Sequence, residues 1–289
     1  MITMLRLRQL RVLKKNAQQL QHRNSSKTSS LPHFLESAQP RSIERNAIKQ
    51  SIRKFVQCEI VPNIAAWEEQ CAIPRELFRK AGHVGILGVA MPQVYGGTGG
   101  GMVDLIDMID ELGCAGSSGI LAALTAHQIA LPSVIEKGSS KMKDSILPKI
   151  ISGEIISALS ISEPQGGLDH MSKLDVTSSL EEVGVELNTD GSFSTKKCYV
   201  LKGEKAFVTN GITADLIFVA ARGKIEGEQS QSGSSMFVVR RDTPGLTATK
   251  WSKMGSHCSD TASLSFDYVQ VSIFFSYHLC YSTHITLSS

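Results

Sequence analysis

No aspartate or glutamate precedes Glu36, and no Asp, Glu, Lys or Arg occurs from Ser272 to Ser289. Cysteine is sparse and scattered. The six thiols, at 58, 71, 114, 198, 258 and 280, form no CxxC pair and sit beside no histidine cluster. That spacing excludes a zinc-ribbon ligand set and argues against a disulfide framework, so no metal is expected and a reduced compartment is. Runs of roughly 18–20 apolar residues are also missing, and no membrane span is expected.

The acid-free start carries Arg6, Arg8, Arg11, Lys14, Lys15, Arg23 and Lys27. Removing those seven from the 30 basic residues leaves 23 against 27 acidic ones. The overall charge of +3 therefore belongs to the leader and does not indicate a nucleic-acid surface. Leu5, Leu7, Leu10, Val12 and Leu13 alternate with the cations, ahead of a Ser/Thr-rich stretch. Residues 1–35 thus have the composition of a mitochondrial transit peptide, which implies a matrix protein. A disordered basic tail is the alternative.

From about Arg41 to 154 the apolar period is helical. Ile43, Ala47, Ile48, Ile52, Phe55 and Val56 recur at steps of three and four, and Pro62 ends or kinks that helix. Pro74 opens a second helix, Val103–Leu112 reads as a third, Ile120–Ile135 as a long buried one at the bundle's centre, and Lys141–Ile151 closes the set. From Ile155 short strand-like runs take over: Ile155–Ile161, Leu174–Val185, Phe193–Leu201, Ala206–Thr209, Leu216–Ala221, Met236–Val239, Leu246–Lys250 and Ala262–Phe266. Turns are expected at Asn188–Gly191 and at Lys202-Gly203, and an exposed loop at Glu226–Ser235. Helices followed by strands predict an α+β chain, an α-helical bundle (41–154) and then a β-barrel or sandwich (155–271). Residues 272–289 form an atypical tail, with neither helix caps nor strand alternation.

Gly96-Gly97-Thr98-Gly99-Gly100-Gly101 follows no strand and precedes no Lys-Ser/Thr pair, so neither nucleotide fingerprint is met. A flexible connection between helices is expected there. Ile161-Ser162-Glu163-Pro164-Gln165-Gly166-Gly167-Leu168-Asp169 is more informative. A hydroxyl and backbone amides just after a strand, followed by two glycines, make a turn whose N–H groups can meet a flavin ring or a pyrophosphate. About forty residues on comes Lys205-Ala206-Phe207-Val208-Thr209-Asn210-Gly211, an aromatic strand ending in an Asn-Gly turn.

These two segments, with Met91-Pro92-Gln93-Val94-Tyr95-Gly96-Gly97 before them and Met254-Gly255 to Asp267 after, resemble the acyl-CoA dehydrogenase family over roughly residues 41–271. The resemblance implies FAD as cofactor, an acyl-CoA substrate oxidised to a 2-enoyl-CoA, and an electron-transfer flavoprotein as electron acceptor. It implies a homo-oligomer for full-length members. Flavin contacts would come from Leu159, Ile161, Ser162, Gly167, Leu168, Phe207 and Thr209, with Phe207 packed on the flavin ring and Thr209 beside its N5 edge. Tyr95 would lie near the acyl chain, and Leu168 would also touch substrate. Leu168 stands where the family has a hydroxyl, so that one bond is lost. Glu163 and Asp169 could be read as an acid/base pair; the resemblance implies instead that both shape the loop. The family's base is a glutamate of a C-terminal helical bundle expected after Val271, which this sequence does not contain, so no catalytic residue is assigned and the chain by itself is expected to be inactive. A non-catalytic fragment that binds CoA, flavin or partner subunits, and an acyl-CoA oxidase, are the alternatives.

Overall fold

The computed structural model describes residues 43–166, 174–187, 193–223 and 234–279. The leader, the Asn188–Gly191 turn, residues 226–233 of the expected loop, and Gly167, Leu168 and Asp169 lie outside the described residues.

Helix α1 (Ile43–Phe55) widens into a π turn at Val56–Ile60 and then tightens into a 3-10 turn at Val61–Asn63. Pro62 has no N–H with which to continue an α ladder, so regular pairing restarts at α2 (Ile64–Gln70). Pro74 caps α3 (Arg75–His83), as its fixed backbone angle favours. Then come α4 (Met102–Gly113), α5 (Ser118–Lys137) and α6 (Ser140–Ile151). Ser117 and Ser139 accept the Ile120 and Met142 N–H groups at 3.4 and 3.2 Å, fixing where α5 and α6 begin. Helices α1 and α4 are laced by ion pairs spaced about a turn apart. Arg45 meets Asp104 at 2.8 Å, Lys49 meets Asp107 at 2.9 Å, and Arg53 meets Glu111 at 2.6 Å.

Helix α5 bears on two expectations. It is long and apolar enough to cross a membrane by length and composition, and half of its apolar window is buried inside the protein, as in a core helix. Nor is it buried all round: Ile120, Leu124, Leu131 and Val134 face inward while Ile129 is 72% exposed. An almost uncharged sequence did not distinguish the two sides.

The second half is one sheet in the order β6-β7-β3-β2-β4-β5-β8, with β1 parallel to β4. Its strands are β1 (Ser157–Ser160), β2 (Thr177–Leu187), β3 (Phe193–Val208), β4 (Leu216–Arg222), β5 (Ser234–Arg240), β6 (Leu246–Lys250), β7 (Ala262–Ser272) and β8 (Ser276–Leu279). Strand β4 divides its side chains between two apolar clusters. Ile217, Val219 and Ala221 join one with Ile52, Phe78 and Leu124; Leu216, Phe218 and Ala220 join the other with Leu131, Leu147 and Val238. Being buried on both faces explains its unbroken apolar run.

Two further expectations fail for one reason, pairing with distant chain. Lys202-Gly203 is not a turn, because β3 runs through it to Val208. Leu201 pairs with Val269 and Gly203 with Phe266, so Lys202 opposes two residues of β7, one of them Tyr268 at φ +54°. This is a β-bulge, and Lys202 Nζ sits 3.6 Å above the Tyr268 ring. The atypical tail is in part ordinary sheet. A 3-10 turn at Ile273–Phe275 leads into β8, which pairs antiparallel with β5. Tyr277 is buried, its hydroxyl 2.8 Å from Ser133 Oγ on α5, so burial and one polar partner replace the missing charges.

Candidate functional site

The two motif segments meet. The Ala206 N–H donates to Ser162 O at 2.8 Å, and Lys205 Nζ donates at 2.8 Å both to Ile161 O and to Glu163 Oε1. Lys205 and Glu163 side chains are 0% and 1% exposed. Glu163 also accepts the N–H groups of Asp175 (2.6 Å) and Val176 (2.9 Å). Burial opposes its ionisation, but the Lys205 ammonium and the two amides outweigh it and hold the carboxyl below its usual range. Both oxygens are used in shaping the loop, which removes the acid/base reading for Glu163.

Phe207 is placed by a second bulge. Lys205 pairs with Leu264 and Val208 with Ala262, so Ala206 and Phe207 together oppose Ser263. Phe207 takes φ +58°, costly for a residue with a Cβ, and its ring is 60% exposed. Bulges re-aim side chains in this way beside functional sites. Thr209 follows, half-buried, and Ser162, whose carbonyl accepts from Ala206, is half-buried too. Neither hydroxyl has a hydrogen-bond partner among the described residues. An exposed aromatic with two hydroxyls on the neighbouring segments, neither partnered among the described residues, suits a planar, polar-edged ligand.

The turn after Thr209 is pinned from three sides. Asn210, at φ +60°, is buried and donates to Ala123 O of α5 (3.0 Å) and Ser157 O of β1 (3.2 Å). Asp260 Oδ2 accepts from Ile212 N, Thr213 N and Thr213 Oγ1 at 3.2, 2.7 and 2.7 Å. Arg241 donates to Gly211 O and Ala214 O. A cavity of about 120 Å³ lies behind this turn, lined by Asn210, Thr213, Lys250, Cys258 and Asp260. Nearby, Glu68 accepts from Ser117 Oγ, Cys258 N and Cys258 Sγ, while burial pushes the Cys258 thiol up to about 11.

Leu159 and Ile161 are partly buried against the second apolar cluster, and Tyr95 packs on the same cluster. The loop carrying Tyr95 is more than a flexible connection. Thr98 N donates to Gly88 O, Thr98 Oγ1 to Val89 O, and Gly99 N to Met91 O. A Cβ on Gly97 would lie 2.1 Å from Met91 O, so only glycine allows that approach. His127 holds the base of the loop, with Nε2 2.6 Å from Leu87 O; burial lowers its pKa to about 4, so the neutral ring donates. Gly167 and Leu168 are outside the described residues. Sequence reasoning assigned no role to Asn210, Asp260 or His127, although the first two lie in quoted motifs. It missed Trp251, which nothing local marks. Among the described residues no group of three or more His, Cys, Asp or Glu side chains could hold a metal ion.

Residues 42–154 match the acyl-CoA dehydrogenase N-terminal domain and residues 158–269 match its middle domain. A mitochondrial long-chain specific acyl-CoA dehydrogenase of Mus musculus is 30% identical over 231 residues, 80% of this chain and 50% of its own length. The crystal structure of acyl-CoA dehydrogenase from Geobacillus kaustophilus superposes with TM-score 0.68 at 30% identity, covering 82% of this chain and 58% of that one. A Bacillus anthracis acyl-CoA dehydrogenase complexed with FAD gives TM-score 0.65 at 29% identity, covering 82% and 37%. The chain belongs to the acyl-CoA dehydrogenase family. It spans about half the length of the curated relatives it matches.

Proposed function

We propose that this chain supplies the flavin wall and the acyl-chain loop of an FAD-dependent oxidoreductase that converts acyl-CoA thioesters to 2-enoyl-CoA. The observation that carries the reading is the Phe207 bulge, an exposed aromatic beside the Ser162 segment that Ala206 ties down, with the Ser162 and Thr209 hydroxyls lacking hydrogen-bond partners among the described residues. Bound FAD would be held by Phe207 against its ring, by Ser162 and Thr209 at its polar edge, and by Leu159 and Ile161 on its apolar side. From the resemblance, Gly167 and Leu168 would also meet the flavin, and Leu168 and Tyr95 the acyl-CoA. Bound FAD would supply the two-electron acceptor for the β-hydride. Taking the α-proton needs a carboxylate in contact with it, and no residue of this chain is given that role. By itself the chain is proposed to hold flavin without turnover. Two domains, 41–154 and 155–271, remain the proposed division. The partner reading is an electron-transfer flavoprotein, the location the mitochondrial matrix after removal of residues 1–35, and the assembly of the full-length protein a homo-oligomer.

The visible spectrum of the purified chain with FAD tests this, before and after anaerobic addition of a long-chain acyl-CoA. Retained flavin that stays yellow is expected. Bleaching would place a base within the chain, and loss of flavin on gel filtration would remove the cofactor reading.

A further inference from the structure

Phe207 is 60% exposed, yet it is not left unsupported. The Trp251 indole packs against it, with ring centroids 4.5 Å apart and planes 58° apart. Trp251 directly follows β6, and its N–H donates to Thr261 O at 2.9 Å. Its Nε1–H donates to Ser263 Oγ at 2.6 Å. Ser263 is the β7 residue that opposes the bulge carrying Phe207. Strands β6 and β3 flank β7, so the indole–ring contact spans the start of β7.

We propose that Trp251 is a positioning residue: pinned by Ser263, it fixes the plane of Phe207 so that one ring face stays open to a planar ligand. The proposal rests on the flavin reading above for the identity of that ligand. The physical need is specific. A bulge residue has lost its regular cross-strand neighbour, and a 60% exposed side chain gains little from burial, so a packed aromatic neighbour is what can hold its rotamer. Stacking a flavin on a free rotor costs the entropy of ordering it; a ring already held by a tilted aromatic neighbour avoids that cost. The same contact places an indole one ring away from the flavin, within reach for quenching of its fluorescence.

Two readouts on the full chain test this, one of which does not involve flavin. In protein labelled with 4-fluorophenylalanine, the Phe207 signal is assigned by its loss in Phe207→Leu. In Trp251→Leu it is expected to move towards the solvent-exposed position, and in Trp251→Phe to stay displaced. A Phe207 signal unmoved by Trp251→Leu overturns the proposal. The second readout is FAD affinity by fluorescence titration. Trp251→Leu is expected to weaken it about three- to tenfold, with Trp251→Phe within about twofold of the parent. The double variant Phe207→Leu/Trp251→Leu is expected to bind no worse than Phe207→Leu, since the prop has nothing left to hold. Additive losses would show that Trp251 acts independently and overturn it. A parent chain that takes up no FAD removes the flavin reading, and the fluorine signal then decides for or against the Trp251 prop.

Discussion

Lys205, fully buried, and Lys49, partly buried, both join separate segments, but they do so in opposite ways. Lys205 ties the Ser162 loop to β3 through one carboxylate and one carbonyl, and no water reaches either side chain of the pair. Lys49, 11% exposed, lies between α1 and α4 near three carboxylates, Asp107 at 2.9 Å and Asp110 and Glu111 at 3.5 Å. Arg45 and Arg53 continue the same seam on either side. The sheet half therefore relies on a single buried pair to set the geometry of one loop. The helical half spreads its charge over a row in which each member backs up the next. Precise placement of a functional loop goes with the first arrangement, and general adhesion of two helices with the second.

The sharpest way to break this contrast is Lys205→Met. It leaves Glu163 buried beside two amides but without its cation, and leaves Ile161 O without its donor. Breaking a buried pair by removing one partner costs about 3–5 kcal/mol. A urea titration is expected to show the midpoint falling by that equivalent with an unchanged slope. A change of less than about 1 kcal/mol would mean that water enters and the pair does not fix the loop.

How much of this was legible in advance follows from distance along the chain. Pro62 and Pro74 act on their own turns, and the helix ends near them were readable. The motif containing Ser162 and the one containing Phe207 could be recognised, and their meeting through Ala206 and Lys205 agrees with the resemblance. The bulges were not readable, because their register is set by β7, and Gly203 looked like a turn when only its neighbours were considered. Tyr277 and Ser133 are 144 residues apart, so a charge-free tail gave no sign that it would complete a sheet. Trp251 has no local signature at all; its meaning comes only from the strand order.

His127 sharpens the comparison by being buried without any opposite charge. Its pKa of about 4 in the folded chain lies below the ordinary 6.5, because burial disfavours the cation. The unfolded chain therefore takes up a proton that the folded one refuses. Its contribution to stability is complete above pH 6.5 and is lost as pH falls towards 4, to a total of roughly 3 kcal/mol. Glu163, whose folded pKa is depressed, adds its own loss only below the usual carboxylate range. Unfolding free energy measured between pH 6.5 and 5 should thus slope by up to about 1.4 kcal/mol per pH unit in the parent. His127→Gln is expected to flatten that window, and an unchanged slope would place the titrating group elsewhere.

Lys49→Met should have the smallest effect. Glu111 keeps both of its bonds from Arg53, at 2.8 and 2.6 Å, and Asp104 keeps Arg45. Asp107 loses its short contact in the middle of the seam, where its side chain is 10% exposed. A cost of about 1–2 kcal/mol is expected, shrinking as salt screens the remaining carboxylates from one another. The FAD affinity should be unchanged, because nothing in this seam touches the Ser162 loop or the Phe207 bulge. If Lys49→Met instead cost as much as Lys205→Met, the row would be a single cooperative unit, and the distinction between a redundant seam and an indispensable pair would fall.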